Sequence, residues 1–170
     1  FSSPAAAGLN PAILSTPRPT EVLLYTKRPY AIPGLQETRM IARLKSGTRS
    51  GIAAGVGRFW NPDYSSTDFL LAYGLLLRKN LGIGISTGLI HSRIKGFRGN
   101  LEIMPGISIQ WSPRHFTGGV FFRYAVSGLL LNDPDRWIIG VGIGKDLSDQ
   151  VCLDAIVACL PGMTASIQVG

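Results

Sequence analysis

Charge is what this sequence has least of. Lys, Arg, Asp and Glu make up 16% of its 170 residues, against roughly 25% in soluble domains. Acids are the scarcer sign, 10 against 17 basic residues, which leaves a formal net charge of +7. That balance suits nucleic acid, anionic lipid or an acidic partner without choosing among them. Cysteine is almost missing. On one strand Cys152 and Cys159 would lie roughly 23 Å apart, beyond the ~7 Å that a disulfide spans, so they read as small buried apolar residues. No run of about 18 apolar residues occurs, which excludes a transmembrane helix. The densest apolar stretch, 69–77, is half that length.

Motifs for chemistry are missing as well. His91 and His115 sit in no HExxH and beside neither cysteine. No GxSxG surrounds a nucleophile. "GVGRFW" and "GIGIS" alternate glycine without the strand-to-helix switch that a dinucleotide or P-loop site requires. The acids are scattered, and Asp133 and Asp135 read as a Pro-containing turn, with a calcium-binding loop as the alternative. No catalytic, cofactor or metal residue is expected, and the chain does not read as an enzyme. Nucleic-acid binding wants aromatics interleaved on one basic face. Here the basic residues, Lys27, Arg28, Lys95, Arg98, Arg114 and Arg136 among them, divide between strand ends, so no nucleic-acid partner is expected.

What is present is a period of two. In "NLEIMPGISIQW", Leu101, Ile103, Ile107, Ile109 and Trp111 share one parity, while Glu102, Met104, Gly106, Ser108 and Gln110 share the other. "LGIGISTGLIH" and "WIIGVGIGK" repeat the alternation of bulky apolar against glycine or small polar residues. In "ETRMIARLK", Met40, Ala42 and Leu44 oppose Glu37, Arg39, Arg43 and Lys45. Further strands are expected near 20–27, 51–60, 67–78, 116–127, 151–160 and 163–169. The prediction is an all-β, antiparallel up-and-down transmembrane β-barrel of about 8–10 strands, since a tilted strand of 9–11 residues crosses a bilayer. Bulky residues outside and small polar ones inside suit a membrane barrel; a soluble lipocalin-like barrel is the alternative.

On that reading Ile83, Ile85, Ile107, Ile109, Ile139, Val141 and Ile143 face lipid. Trp60, Trp111 and Trp137 belong to the interfacial aromatic girdles. Arg39, Arg43 and Lys45 form a lumen basic cluster, either paired with lumen acids such as Glu102 or giving an anion-selective lumen. One set of turns is short (46–51, 78–80, 112–115, 146–150). The alternate set is mostly longer, as extracellular loops are, which puts both termini on the periplasmic side.

The opening "FSSPAAAGLNPAIL", with its Asn10-Pro11-Ala12, resembles the N-terminal NPA segment of FadL-like outer-membrane barrels. It is closer to their Bacteroidota relatives, the PorV and PorP/SprF-like proteins. The hairpins "LLLRKNLGIGISTGLI" and "IIGVGIGKDLSDQVCLDA" are similar to theirs. The resemblance implies a Gram-negative outer-membrane protein exported with a removed signal peptide and surrounded by lipid and lipopolysaccharide. It also implies partners among the outer-membrane or periplasmic proteins of a secretion complex, with type IX secretion foremost. Residues 1–19 are expected to form a periplasmic, mouth-capping segment around Asn10, Pro11 and Ala12, and 20–170 the barrel. FadL and PorV barrels are longer than this chain, and a barrel of eight to ten strands is mostly filled by its own side chains. The expected role is therefore an accessory subunit, with a small transporter or pore for hydrophobic or anionic solutes as the rival.

Overall fold

A computed structural model describes residues 10–16, 19–28, 34–113, 116–127, 136–146, 152–159 and 166–169, with side chains described no further than residue 142. One 3-10 turn, Pro11–Ser15, precedes ten strands: β1 Glu21–Lys27, β2 Gln36–Lys45, β3 Ser50–Trp60, β4 Tyr64–Arg78, β5 Leu81–Ile94, β6 Asn100–Trp111, β7 Phe116–Ser127, β8 Arg136–Asp146, β9 Cys152–Cys159 and β10 Ser166–Val169. They form one antiparallel sheet in chain order. The all-β up-and-down architecture is the one that the period of two predicts. β4 starts three residues earlier than expected because Asn61 Oδ1 accepts hydrogen bonds from the backbone N–H of Asp63 and Tyr64, turning the chain straight into the strand. Gly47 and Gly96, at φ +95° and +83°, supply the left-handed positions of two turns.

The barrel expectation needs a correction. Among the described residues no ladder joins β1 to β10, so the sheet is open along that seam. The described part of β10 pairs with β9 alone, over four ladder residues.

The sheet nevertheless wraps around its own inner face. The 3-10 turn packs on β3, β4, β5 and β6 and bonds to Arg43 on β2, and Asn10 just before it sits against Gly119 on β7. In a flat sheet β2 and β7 would lie about 24 Å apart. Five residues of 3-10 helix span about 10 Å, so the strands have to curl for one short segment to touch all six.

Alternation sets the two faces. On β5 the inward residues Gly82, Gly84, Ser86 and Gly88 are buried, whereas Ile85, Thr87 and Leu89 are exposed. The outer face is apolar across the sheet, with Leu24 (68% exposed), Ile85 (59%) and Ile107 (60%) among its most exposed side chains. Exposed apolar side chains thus recur on neighbouring strands, whereas soluble surfaces carry them mostly as scattered residues or small patches.

The ladders make an expected outcome for hydrogen exchange. Both edges of β4 and β5 are paired and their inner faces are backed by the 3-10 turn. Mass-spectrometric exchange should find 64–78 and 81–94 slowest, and 21–27 on the unpaired edge exchanging faster.

Candidate functional site

Register stacks the inward residues into lateral rows, as in small barrels. Nearest the short turns run Gly82, Gln110 and Gly119, then Gly51, Gly74, Gly84, Ser108 and Phe121. Above them run Arg43, Ala53, Ala72, Ser86, Gly106 and Arg123. The next row is Ile41, Gly55, Leu70, Gly88 and Met104, followed by Arg39, Gly57, Asp68, Ile90 and Glu102.

The first three rows form a seat for the segment 10–15. Asn10, Pro11, Ala12, Ile13, Leu14 and Ser15 are all buried, Ala12 completely. The seat is made of residues without bulk. A Cβ at Gly51 would stand 2.6 Å from the Leu14 carbonyl oxygen, and one at Gly74 equally close to that of Pro11. At Gly84 it would overlap the backbone of Ala12, and at Gly82 the Ser15 hydroxyl. Ile13 and Leu14 pack with Ala53 and Ala72 in a small apolar core.

Backbone groups buried in this way need partners. Ser108 Oγ accepts the Ala12 N–H at 2.8 Å. Buried Arg43 donates from Nη2 to the carbonyls of Thr16 (2.5 Å) and Ile13 (3.4 Å). Asn10 Nδ2 lies 3.5 Å from Gln110 Oε1, at the outer limit of a hydrogen bond. The segment expected to tuck into or cap the mouth lies inside, filling the half of the inner face nearest the short turns.

The other half, toward the longer loops, holds a cavity of ≈ 820 Å³ whose walls come from β1 through β7. Arg39 faces Gly57 across one ladder and Gly57 faces Asp68 across the next. The guanidinium passes over the glycine, and Arg39 Nη2 reaches Asp68 Oδ1 at 3.0 Å. A Cβ at Gly57 would overlap Asp68 and stand 2.9 Å from Arg39 Nε. Glu37 is held by Lys27 Nζ at 3.2 Å and by the Tyr25 hydroxyl at 3.1 Å, with Arg39 Nε at 4.0 Å. Ile41, Leu70 and Met104 lie between this charged layer and the 3-10 segment.

The lumen basic cluster therefore divides. Arg39 belongs to the cavity, Arg43 binds the N-terminal segment, and Lys45 is exposed at the end of β2. The acids beside Arg39 are Asp68 and Glu37; Glu102, on β6 four ladders from β2, accepts from Asn100 Nδ2 at 3.3 Å. Ile85, Ile107, Ile109, Ile139 and Val141 are exposed on the outer face, and Ile83 is half-buried there. The side chain of Ile143 lies outside the described residues, as do those of Cys152 and Cys159, and as do His115, Asp133 and Asp135. Trp60 and Trp137 are exposed at the long-loop end and Trp111 at the short-turn end. His91 points outward. Among the described residues no group of three His, Cys, Asp or Glu could hold a metal ion.

Sequence reading missed two features. Ile41, left out of the β2 pattern, points inward and is 2% exposed; strict alternation placed it with Arg39 and Arg43. Arg49, Arg78 and Lys79 gather at one short-turn rim because the Arg49 carbonyl accepts the Leu76 N–H at 2.7 Å. Their separation in sequence hides that cluster. Compared with known proteins, the chain matches no family model, no curated protein and no solved structure.

Seat and segment should fail together. Gly84→Val should cost about 1–3 kcal/mol through overpacking, and Arg43→Met a similar amount by leaving buried carbonyls without donors. Urea unfolding measures both. In each variant, limited proteolysis should cut near 10–16 faster than in the parent, while Lys45→Ala should change neither readout.

Proposed function

We propose that the protein is a non-enzymatic outer-membrane β-barrel protein whose interior is stoppered by its own N-terminal segment, and that it serves as an accessory subunit of a protein-secretion complex. The observation that carries this reading is the burial of 10–15 on the inner face beneath an outer face of exposed Leu, Ile, Val and Phe. Water leaves such an outer face unsatisfied, whereas hydrocarbon matches it. Trp60, Trp111 and Trp137 at the two ends suit the membrane interfaces. In a bilayer the β1 edge has to be paired, because backbone groups in hydrocarbon have no water to bond; the C-terminal strand or a partner protein's strand supplies that pairing.

An interior filled with backbone at one end is a poor conduit. That favours a scaffold over a pore, and the resemblance of Asn10-Pro11-Ala12 to PorV- and PorP/SprF-like proteins supports type IX secretion as the setting. The cavity favours a second reading, a small transporter for hydrophobic or anionic solutes.

Two measurements separate these. In planar bilayers the intact protein should show no steady openings, and deletion of 10–15 should produce them; steady openings of the intact protein would favour the transporter. Co-purification from native membranes should recover other outer-membrane or periplasmic proteins. The membrane placement has its own check: Ile85→Arg should lower folding stability in lipid vesicles by about 2–4 kcal/mol if the site lies near the midplane. Recovery of the protein in detergent-free soluble fractions would sink the whole reading.

A further inference from the structure

The floor of the cavity carries an imbalance that the scaffold role does not use. Lys27, Arg39 and Arg123 line it against two acids, Glu37 and Asp68. Both acids are engaged, Glu37 by Lys27 and Asp68 by Arg39. Arg123 is the remaining cation. Its Nε is buried without a hydrogen-bond partner, and no ion pair reaches it among the described residues. Arg39 adds like charge nearby.

Ser86 and Arg123 flank Gly106 across two ladders. A Cβ on that glycine would stand 2.9 Å from Ser86 Oγ and 3.0 Å from Arg123 Cγ, so both side chains lean over the same gap. Ser86 Oγ is also buried without a partner, and so is Arg39 Nε. Ser86 and Arg123 share one row and Arg39 lies two rows higher; three unsatisfied polar atoms around one interior space are uncommon inside a folded protein. Water can satisfy a hydroxyl or an N–H but leaves the guanidinium charge uncompensated. A planar guanidinium in a partly desolvated site is suited to paired anionic oxygens. The wall beside it is apolar, formed by Leu70, Ile90 and Met104.

We infer that this cavity binds a small organic oxyanion, its carboxylate or phosphate group held by Arg123 and its body resting on the Leu70, Ile90 and Met104 wall. The blind end made by the N-terminal segment makes this a receptor pocket open toward the longer loops. The inference is independent of the secretion role.

Titration calorimetry on the purified full chain in detergent tests it, with benzoate and phenyl phosphate as probes and benzamide as the neutral control. The expected result is saturable binding of at least one anion, little or no binding of benzamide, and at least tenfold weaker binding in Arg123→Met. Arg123→Lys keeps the charge without the planar fork and should weaken binding three- to tenfold, which keeps the test intact if the methionine variant does not fold. Arg58→Met, on the exposed face of β3, should bind as the parent does. The probe that binds tells carboxylate from phosphate. Absence of saturable binding by either anion, equal binding of benzamide, or unchanged affinity in a folded Arg123 variant would overturn the inference.

Discussion

A turn of backbone buried inside a sheet has to find its hydrogen bonds there, and the inner face of this protein is arranged around that need. Residues 10–15 approach the strands so closely that Gly51, Gly74, Gly82 and Gly84 have no space for a methyl group. Close approach alone would strand polar groups. Ser108 and Arg43 prevent this by meeting one N–H and two carbonyls from opposite sides of the segment. Small residues and polar anchors thus come as a set: the first let the backbone in, and the second make its burial tolerable.

The same device recurs one layer higher with a different occupant. Gly57 clears a path between β2 and β4 so that Arg39 can span two ladders to Asp68. An intervening apolar row, Ile41, Leu70 and Met104, keeps the charged layer apart from the N-terminal segment. The interior is stratified: backbone below, hydrocarbon in the middle, ion pairs near the long-loop end. The seated backbone occupies three rows of the register, and the hydrocarbon and the charged layer follow in the rows above.

Much of this was legible in the sequence, and what was not has a common cause. Alternation in 81–91 and 100–111 was enough to place strands and to say which residues share a face, because that periodicity is local. The position of Asn10-Pro11-Ala12 in the interior, the Arg39–Asp68 pair and the row that brings Ser86 to Arg123 depend on register between strands. No short window of sequence carries register. Hence parity alone does not single out Asp68, the acid that register brings across Gly57 to Arg39. Whether the first and last strands meet is likewise a matter of pairing between opposite ends of the chain. Ile41 was legible in principle, since strict alternation on β2 places it with Arg39 and Arg43.

The bonds that hold the N-terminal segment join residues 96 and 100 positions apart. The segment is therefore among the last parts to find its place, since Ser108 and Gln110 have to be in register before Ala12 and Asn10 can bond them. Seated, the segment acts as a keystone. It touches six strands at once, so its locking reports that the whole arch from β2 to β7 has been assembled correctly.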